Sequence, residues 1–326
     1  MNVDHIPIET FPFYEAPNDT LPPPPRLFSL DPFGLGTAFQ ESFPSYLNRL
    51  CLAHGAPSME LVRRELVPRI FPGWHHWRRF LTQHRPSFLV VSHPSSRGGQ
   101  FARGLAGLTG VPAVANLQQS FLAQGVTIAA HLRSHLAWCP HCLKKDTFSV
   151  PLLWAFRPVV YCPTHRVPLV DRCPTCKRRF PHWGQRSWDP GCCSCGQPLF
   201  REPGKQFSDA PANDWEVRAA SFVADLLEWG ARLDGPFSIE HFLFPNIAAA
   251  ASAVGGPTAL AGFAGIARLA PCSSKQPFPF SQLLRLSLVF NVSPSVWLAR
   301  SVHPSVFYQP VQVPAKLSFL SPVPTT

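Results

Sequence analysis

Acidic side chains are scarce in this chain, with 19 Asp and Glu against 29 Lys and Arg in 326 residues. No two carboxylates fall at a spacing suited to paired acid–base work, which removes reactions that depend on such a pair. A long apolar run is missing too. The longest weakly apolar stretch, IAAAASAVGGPTALAGFAGIARLA from Ile247, is broken by Gly255, Gly256 and Pro257. A bilayer span needs ~20 mostly apolar residues, so an Ala-rich pair of packed helices is expected instead, with no membrane segment. The opening MNVDHIPIETFPFYEAPND lacks the basic start and apolar core of a secretory signal, and a cytosolic protein is expected. There is no HExxH helix. The proline–cysteine pairs CPHC and CPTC lack the glutamate of a nucleobase deaminase. SSRGGQ around Gly98 lacks the lysine and hydroxyl of a phosphate loop and reads as a turn.

What is present is uneven basic charge. Residues 1–40 carry one basic and five acidic side chains, residues 41–138 ten and three, and residues 139–195 nine and three. Residues 213–326 are close to neutral. A basic face confined to the first two thirds fits a polyanionic partner such as nucleic acid or a nucleoprotein, although basic proteins without such a partner are common.

The expected fold is mostly α with small β ribbons around metal. Residues 1–38, with LPPPPR at Leu21–Arg26, read as a Pro-rich flexible arm. Residues 39–138 read as a helical domain. Phe43, Leu47 and Leu50 recur at helical spacing, Gly55 is a stop, and Ser58 can cap a second helix through Leu66. Two helices joined by HGAP fit a helix-turn-helix, and equally a generic helical pair. Further on, Trp74 and Trp77 stand beside Arg78 and Arg79, suited either to a nucleic-acid contact or to a half-buried Trp beside a solvated Arg pair. Residues 213–303 read as a C-terminal helical region. Asn213 and Glu216 form a capping box ahead of Ala219, Phe222, Val223, Leu226 and Leu227. Phe280, Leu283, Leu284 and Leu288 mark another helix, and Ser293 with Pro294 opens a short one at Val296–Arg300. Near-neutral charge points that region toward protein contact or core packing. Residues 304–326 read as an irregular tail.

The densest signal is cysteine. Cys139-x2-Cys142, Cys162-x2-His165, Cys173-x2-Cys176 and Cys192-x2-Cys195 are four registered knuckles on residues 139–200. Eight soft ligands make two tetrahedral Zn²⁺ sites, and filled coordination makes them structural. In GCCSCG, Cys192 keeps the x2 spacing of the other knuckles, with Cys193 as the alternative. Pairing can be sequential, or cross-braced as in a RING ubiquitin-ligase module. RVPLVDR between His165 and Cys173 is long enough for a loose strand, which favours sequential pairing. Candidate nucleic-acid or partner contacts are Arg63, Arg64, Arg78, Arg79, Lys144, Lys145, Lys177, Arg178 and Arg179, with a solvated face as the equal alternative for the last five. Cys51 beside His54 could suggest a nucleophile and base, but Cys51 adjoins the apolar stripe of the first helix and reads as core. No catalytic residue is expected.

ESFPSYLNRLCLAHG at Glu41–Gly55, followed by WCPHCLKKD, VVYCPTHRVPLVDRCPTC and the closing CSCG, resembles the TniQ family, which includes TnsD-type transposon target selectors. The resemblance covers roughly residues 39–200. It implies an N-terminal helix-turn-helix domain, a tandem zinc-finger domain whose first metal set is Cys139, Cys142, Cys162 and His165, and no enzyme activity. It also implies target-site selection in DNA transposition in a bacterial, nucleoid-associated setting. The partners would be target DNA or an RNA-guided CRISPR effector, a TnsC-type AAA+ ATPase and the transposase; some members form homodimers. The C-terminal region is short beside the extensions of dedicated sequence readers, which leans toward docking on a guide complex. A RING-like ligase module and a stand-alone zinc-ribbon transcription factor are the rival readings.

Overall fold

The computed structural model of the chain describes residues 25–70, 96–118, 126–128, 131–143, 149–180, 191–199, 213–233, 239–270, 278–298, 302–307, 309–317 and 320. Helix α1 (Phe43–Ala53) is capped by Ser42, whose side chain accepts from the Ser45 amide, with Pro44 tolerated in the first turn. It buries Phe43, Tyr46, Leu47, Leu50 and Cys51. Gly55, at φ +59°, turns the chain. Next come α2 (Ser58–Leu61), a π-helical turn (Val62–Leu66) and α3 (Val67–Ile70), one after another. The expected stop at Leu66 is therefore overrun. Pro68 lacks an amide and crowds the preceding turn of an ordinary helix; here the wider π turn directly before it, closed by Val67 N–H on Val62 O, accommodates the ring.

SSRGGQ is not a turn. It opens α4 (Ser96–Thr109). Each glycine costs a helix ~1 kcal/mol relative to alanine, but Phe101, Ala102, Leu105 and Leu108 are buried, and a Leu or Phe contributes ~1.5–3 kcal/mol. Gly104 shows why glycine is used: a Cβ there would meet Ile70 Cγ1 at 2.6 Å. Together α1 to α4 and a 3₁₀ segment (Pro112–Gln118) enclose a first core running from Leu27 to Leu117.

A second core gathers Ala38 and residues from Val126 to Leu320, so the cysteine segment and the C-terminal helices share one interior. Asn213 caps α5 (Asp214–Ala231) by accepting from Trp215 N–H at 3.0 Å, and the expected stripe of Ala219, Phe222, Val223, Leu226 and Leu227 is buried. The Ala-rich stretch forms α6 (Ile239–Ala253) and α7 (Pro257–Phe263), divided at Gly255 and Gly256. Helix α8 (Phe280–Phe290) is buried along nearly its whole length and ends at Asn291 in the left-handed conformation. Ser293 caps α9 (Pro294–Trp297), which begins two residues before the expected Val296; Ala299 and Arg300 lie outside the described residues. The tail has little regular structure yet is docked. Val313, Leu317 and Leu320 are buried, and the Arg285 guanidinium donates to the carbonyls of Ala264, Pro314 and Ala315 at 2.8–3.0 Å.

Strand is nearly absent among the described residues. Only β1 (Val126–Thr127) and β2 (Phe278–Pro279) pair, in parallel. The fold is mostly helical, and no described helix is long and apolar enough to cross a membrane.

A buried polar latch joins the two cores. Glu41, with no exposed surface, takes both Nε and Nη2 of Arg49 at 2.9 and 2.7 Å and the Ser45 hydroxyl at 2.9 Å. Ser45 Oγ accepts the Val150 amide at 2.9 Å. Beside it, Ser42 N–H donates to Val150 O and Leu152 N–H to Gln40 O, so the start of α1 is stitched to residues 150–152.

Candidate metal centre

Two knuckles are built as the same short hairpin. In the first, Cys162 N–H donates to Val167 O at 2.9 Å, Arg166 N–H to Cys162 O at 2.8 Å, and Tyr161 bridges Pro168. In the next, Cys173 N–H donates to Arg178 O at 2.9 Å, Lys177 N–H to Cys173 O at 3.0 Å, and Arg172 bridges Arg179. Each hairpin thus aims the side chains of its first and fourth knuckle residues at one point. RVPLVDR is not a strand of its own. Residues 167–169 form the return arm of the Cys162 hairpin, and Val170 then exchanges two backbone hydrogen bonds with Trp138 at 2.8 and 2.9 Å. That exchange brings the Cys139 knuckle against the Cys162 hairpin.

The ligand atoms of Cys139, Cys142, Cys162 and His165 consequently lie within 4.8 Å of one another, and those of Cys173, Cys176, Cys193 and Cys195 do the same. Pairing is sequential, not cross-braced. Cys142 Sγ stands 3.1 Å from His165 Nδ1 and 3.6 Å from Cys162 Sγ; Cys176 Sγ stands 3.4 Å from Cys193 Sγ, and Cys173 Sγ 3.7 Å from Cys195 Sγ. A tetrahedron with metal–sulfur bonds of ~2.3 Å has edges of about 3.8 Å, so both sets have the dimensions of a tetrahedral site. Three thiols this close share protons. Hydrogen bonds from Cys139 and Cys142 pull Cys162 well below its ordinary pKa, and the same sharing pushes Cys142 up. A divalent cation would take the place of those protons. Ligand sets made only of sulfur and imidazole, with no carboxylate, suit a soft structural metal and leave no open position.

The structure differs from the x2 rule at the last knuckle: it brings Cys193, not Cys192, to the second set. Hairpin register explains this. Cys192 bridges Pro198 just as Tyr161 bridges Pro168 and Arg172 bridges Arg179, so it occupies the position ahead of the first ligand. Cys193 N–H donates to Gln197 O, as Cys162 and Cys173 donate across their own hairpins, and this third turn is one residue shorter. Gly196 directly after Cys195 was the available clue, since it falls where Arg166 and Lys177 follow their ligands. All three are left-handed, with φ of +53° at Arg166, +60° at Lys177 and +82° at Gly196. Glycine tolerates that conformation freely; Arg and Lys accept it at ~1 kcal/mol or more each.

The candidate cations divide. Arg63 and Arg64 both pair with Glu60, the former at 2.7 Å, and Arg69 pairs with Glu65 at 3.0 Å. Asp171 holds Arg179 at 3.3 Å, Arg172 at 3.8 Å and His135 Nε2 at 3.3 Å. Lys177 and Arg178 are exposed and make no ion pair among the described residues. Arg78, Arg79, Lys144 and Lys145 lie outside the described residues. Cys51 is core. Burial pushes its thiol up to about 12, and His54 Nε2 instead accepts the Phe28 amide at 2.9 Å.

A helical unit is followed by two consecutive four-ligand clusters, each able to hold a metal ion, the first of them locked to the second core through Trp138. Residues 32–169 match the TniQ family model, and the match supports assigning the chain to that family. This span takes in α1 to α4 and all of Cys139, Cys142, Cys162 and His165, and stops short of Cys173. The TniQ domain marks a family associated with target selection in transposition, whose members are adaptors. No curated protein matches the chain.

Proposed function

We propose that this protein is a non-enzymatic target-selection adaptor in DNA transposition, linking target DNA or an RNA-guided effector to a TnsC-type AAA+ ATPase and, through it, to the transposase. The observation that carries this reading is the TniQ match over a span that coincides with the helical unit and the first ligand set. On this reading α1 and α2, joined at Gly55, act as a helix-turn-helix, and both clusters hold Zn²⁺. Each zinc contributes ~10 kcal/mol of folding free energy, more than so small a ribbon gains from its own apolar burial. Seven thiolates and two Zn²⁺ lower the +6 of residues 139–195 to about +3, which leaves a basic, rigid body able to meet a nucleoprotein.

A RING-like ligase requires Cys139 and Cys142 to share a metal with Cys173 and Cys176; the sequential sets give that reading no support. The adaptor is tested by capturing the tagged full-length protein from its host with nuclease treatment as control. Recovery of an AAA+ ATPase supports it. Recovery of ubiquitin-pathway enzymes alone, or tight sequence-specific DNA binding with no ATPase in the eluate, overturns it.

A further inference from the structure

The chain places a long cation in left-handed backbone at the same point of two equivalent hairpins, Arg166 after His165 and Lys177 after Cys176. The third hairpin meets the same geometric demand with Gly196, the residue that relieves it. Among the described residues the other non-glycine positions with positive φ are Asn291, which ends α8 and belongs to the type that tolerates it, and Gln309. Strained backbone of this kind clusters at ligand clamps and other functional sites. Both cations are exposed, neither is in an ion pair among the described residues, and Arg178 stands exposed beside Lys177. By contrast, Arg63 and Arg64 of the π turn and Arg69 of α3 are each held by Glu60 or Glu65.

We propose that the tips of the Cys162 and Cys173 hairpins form a two-point phosphate clamp on double-stranded DNA, with Arg166 and Lys177 as the contacting residues, Arg178 in support, and Arg63 and Arg64 taking no direct part. This rests on the adaptor reading only for the choice of DNA as the polyanion. Metal fixes the hairpins, so the two charges are presented on a rigid frame and lose little freedom on binding. A duplex fits better than a single strand. Binding of unpaired bases uses exposed aromatic platforms, and none of the exposed large apolar residues among those described, Phe28, Phe33, Leu35, Leu52 and Val311, belongs to the hairpins.

The test uses the zinc-loaded full chain and a short labelled DNA duplex of mixed sequence, titrated at salt from ~50 to ~200 mM. R166G/K177G removes both charges while supplying the residue the backbone prefers, so melting temperature and two metal equivalents should be retained. Affinity should fall at least tenfold at low salt, and the slope of log affinity against log salt should shrink by about 2, since each phosphate no longer neutralised lowers it by about 0.9. R63Q/R64Q should stay within about twofold, as expected of charges already paired at the surface. Unchanged binding in the glycine variant, or an equal loss in both variants, overturns the clamp. So does a wild-type chain that binds an RNA duplex or poly-glutamate but not DNA. Capture of the AAA+ ATPase is scored separately on both variants. A glycine variant that still captures it with DNA binding unchanged sinks the clamp alone, whereas lost DNA binding in a protein that never captures it leaves the clamp standing and sinks the adaptor.

Discussion

Replacing Cys193 by serine should be far more damaging than replacing Cys192, although the two are neighbours and only Cys192 keeps the spacing of the other knuckles. Cys193 is buried, 3 % exposed, with Sγ 3.4 Å from Cys176 Sγ; Cys192 is half-buried and faces Pro198 across the hairpin. Losing one of four ligands removes most of the ~10 kcal/mol that a structural zinc supplies, against a total domain stability of ~5–15 kcal/mol. The damage should stay graded along the chain, because the first set is complete without it. Trp138, adjacent to that set, donates to Leu199 O at 3.1 Å and packs edge-on against Phe180 at 5.3 Å, so the region around Phe180 and Leu199 loosens first. The assay is metal content by elemental analysis, with hydrogen exchange to locate the loss. Cys193→Ser should retain one zinc of two, with protection falling at residues 173–180 and 191–199. Cys192→Ser should retain both. The opposite order, or two zinc ions retained in Cys193→Ser, would refute the register argument and with it the second ligand set.

Three other outcomes are expected. Glu41→Ala leaves the Arg49 guanidinium and the Ser45 hydroxyl without their buried acceptor, so stability measured by urea unfolding should fall by about 3–5 kcal/mol, whereas a merely surface pair would give under 1. Arg285→Met strips the carbonyls of Ala264, Pro314 and Ala315 of their donor and should cost about 1–3 kcal/mol; limited proteolysis should then cut residues 309–317, which it should spare in the wild type. Burial, reinforced by the Arg157 charge, lowers His131 from 6.5 to about 4. The folded state therefore rejects the proton, so this contribution is whole above pH 6.5 and is lost as pH falls from there toward 4. At 1.36 kcal/mol per unit the full loss approaches about 3 kcal/mol, and about 2 by pH 5. His131→Leu should lack this component. Taking the difference in urea midpoint between wild type and variant cancels proton-driven metal release, and a difference that does not change between pH 7 and pH 5 would dismiss the claim.

Local chemistry made much of this molecule legible in one dimension. Knuckle spacing identified the soft ligands, because two side chains can converge on an ion only when a tight turn brings them together. Seven of the eight ligand positions in the two sets follow from spacing, and apolar periodicity located α1, α5 and α8, helped by the Gly55 stop for α1 and the Asn213 cap for α5. Two readings failed: SSRGGQ became helix because α4 lies against Ile70, a neighbour distant in sequence, and the second helix passed Pro68 through the π turn directly before it. The choice of Cys193 over Cys192 needed the cross-hairpin hydrogen bonds, since adjacent cysteines differ only in which side of a paired strand they face. The sharing of one core by the cysteine hairpins and the C-terminal helices, and the seam from Ser45 to Val150, are likewise tertiary facts. Each depends on contacts between residues tens to hundreds of positions apart, and no spacing along the chain encodes those distances.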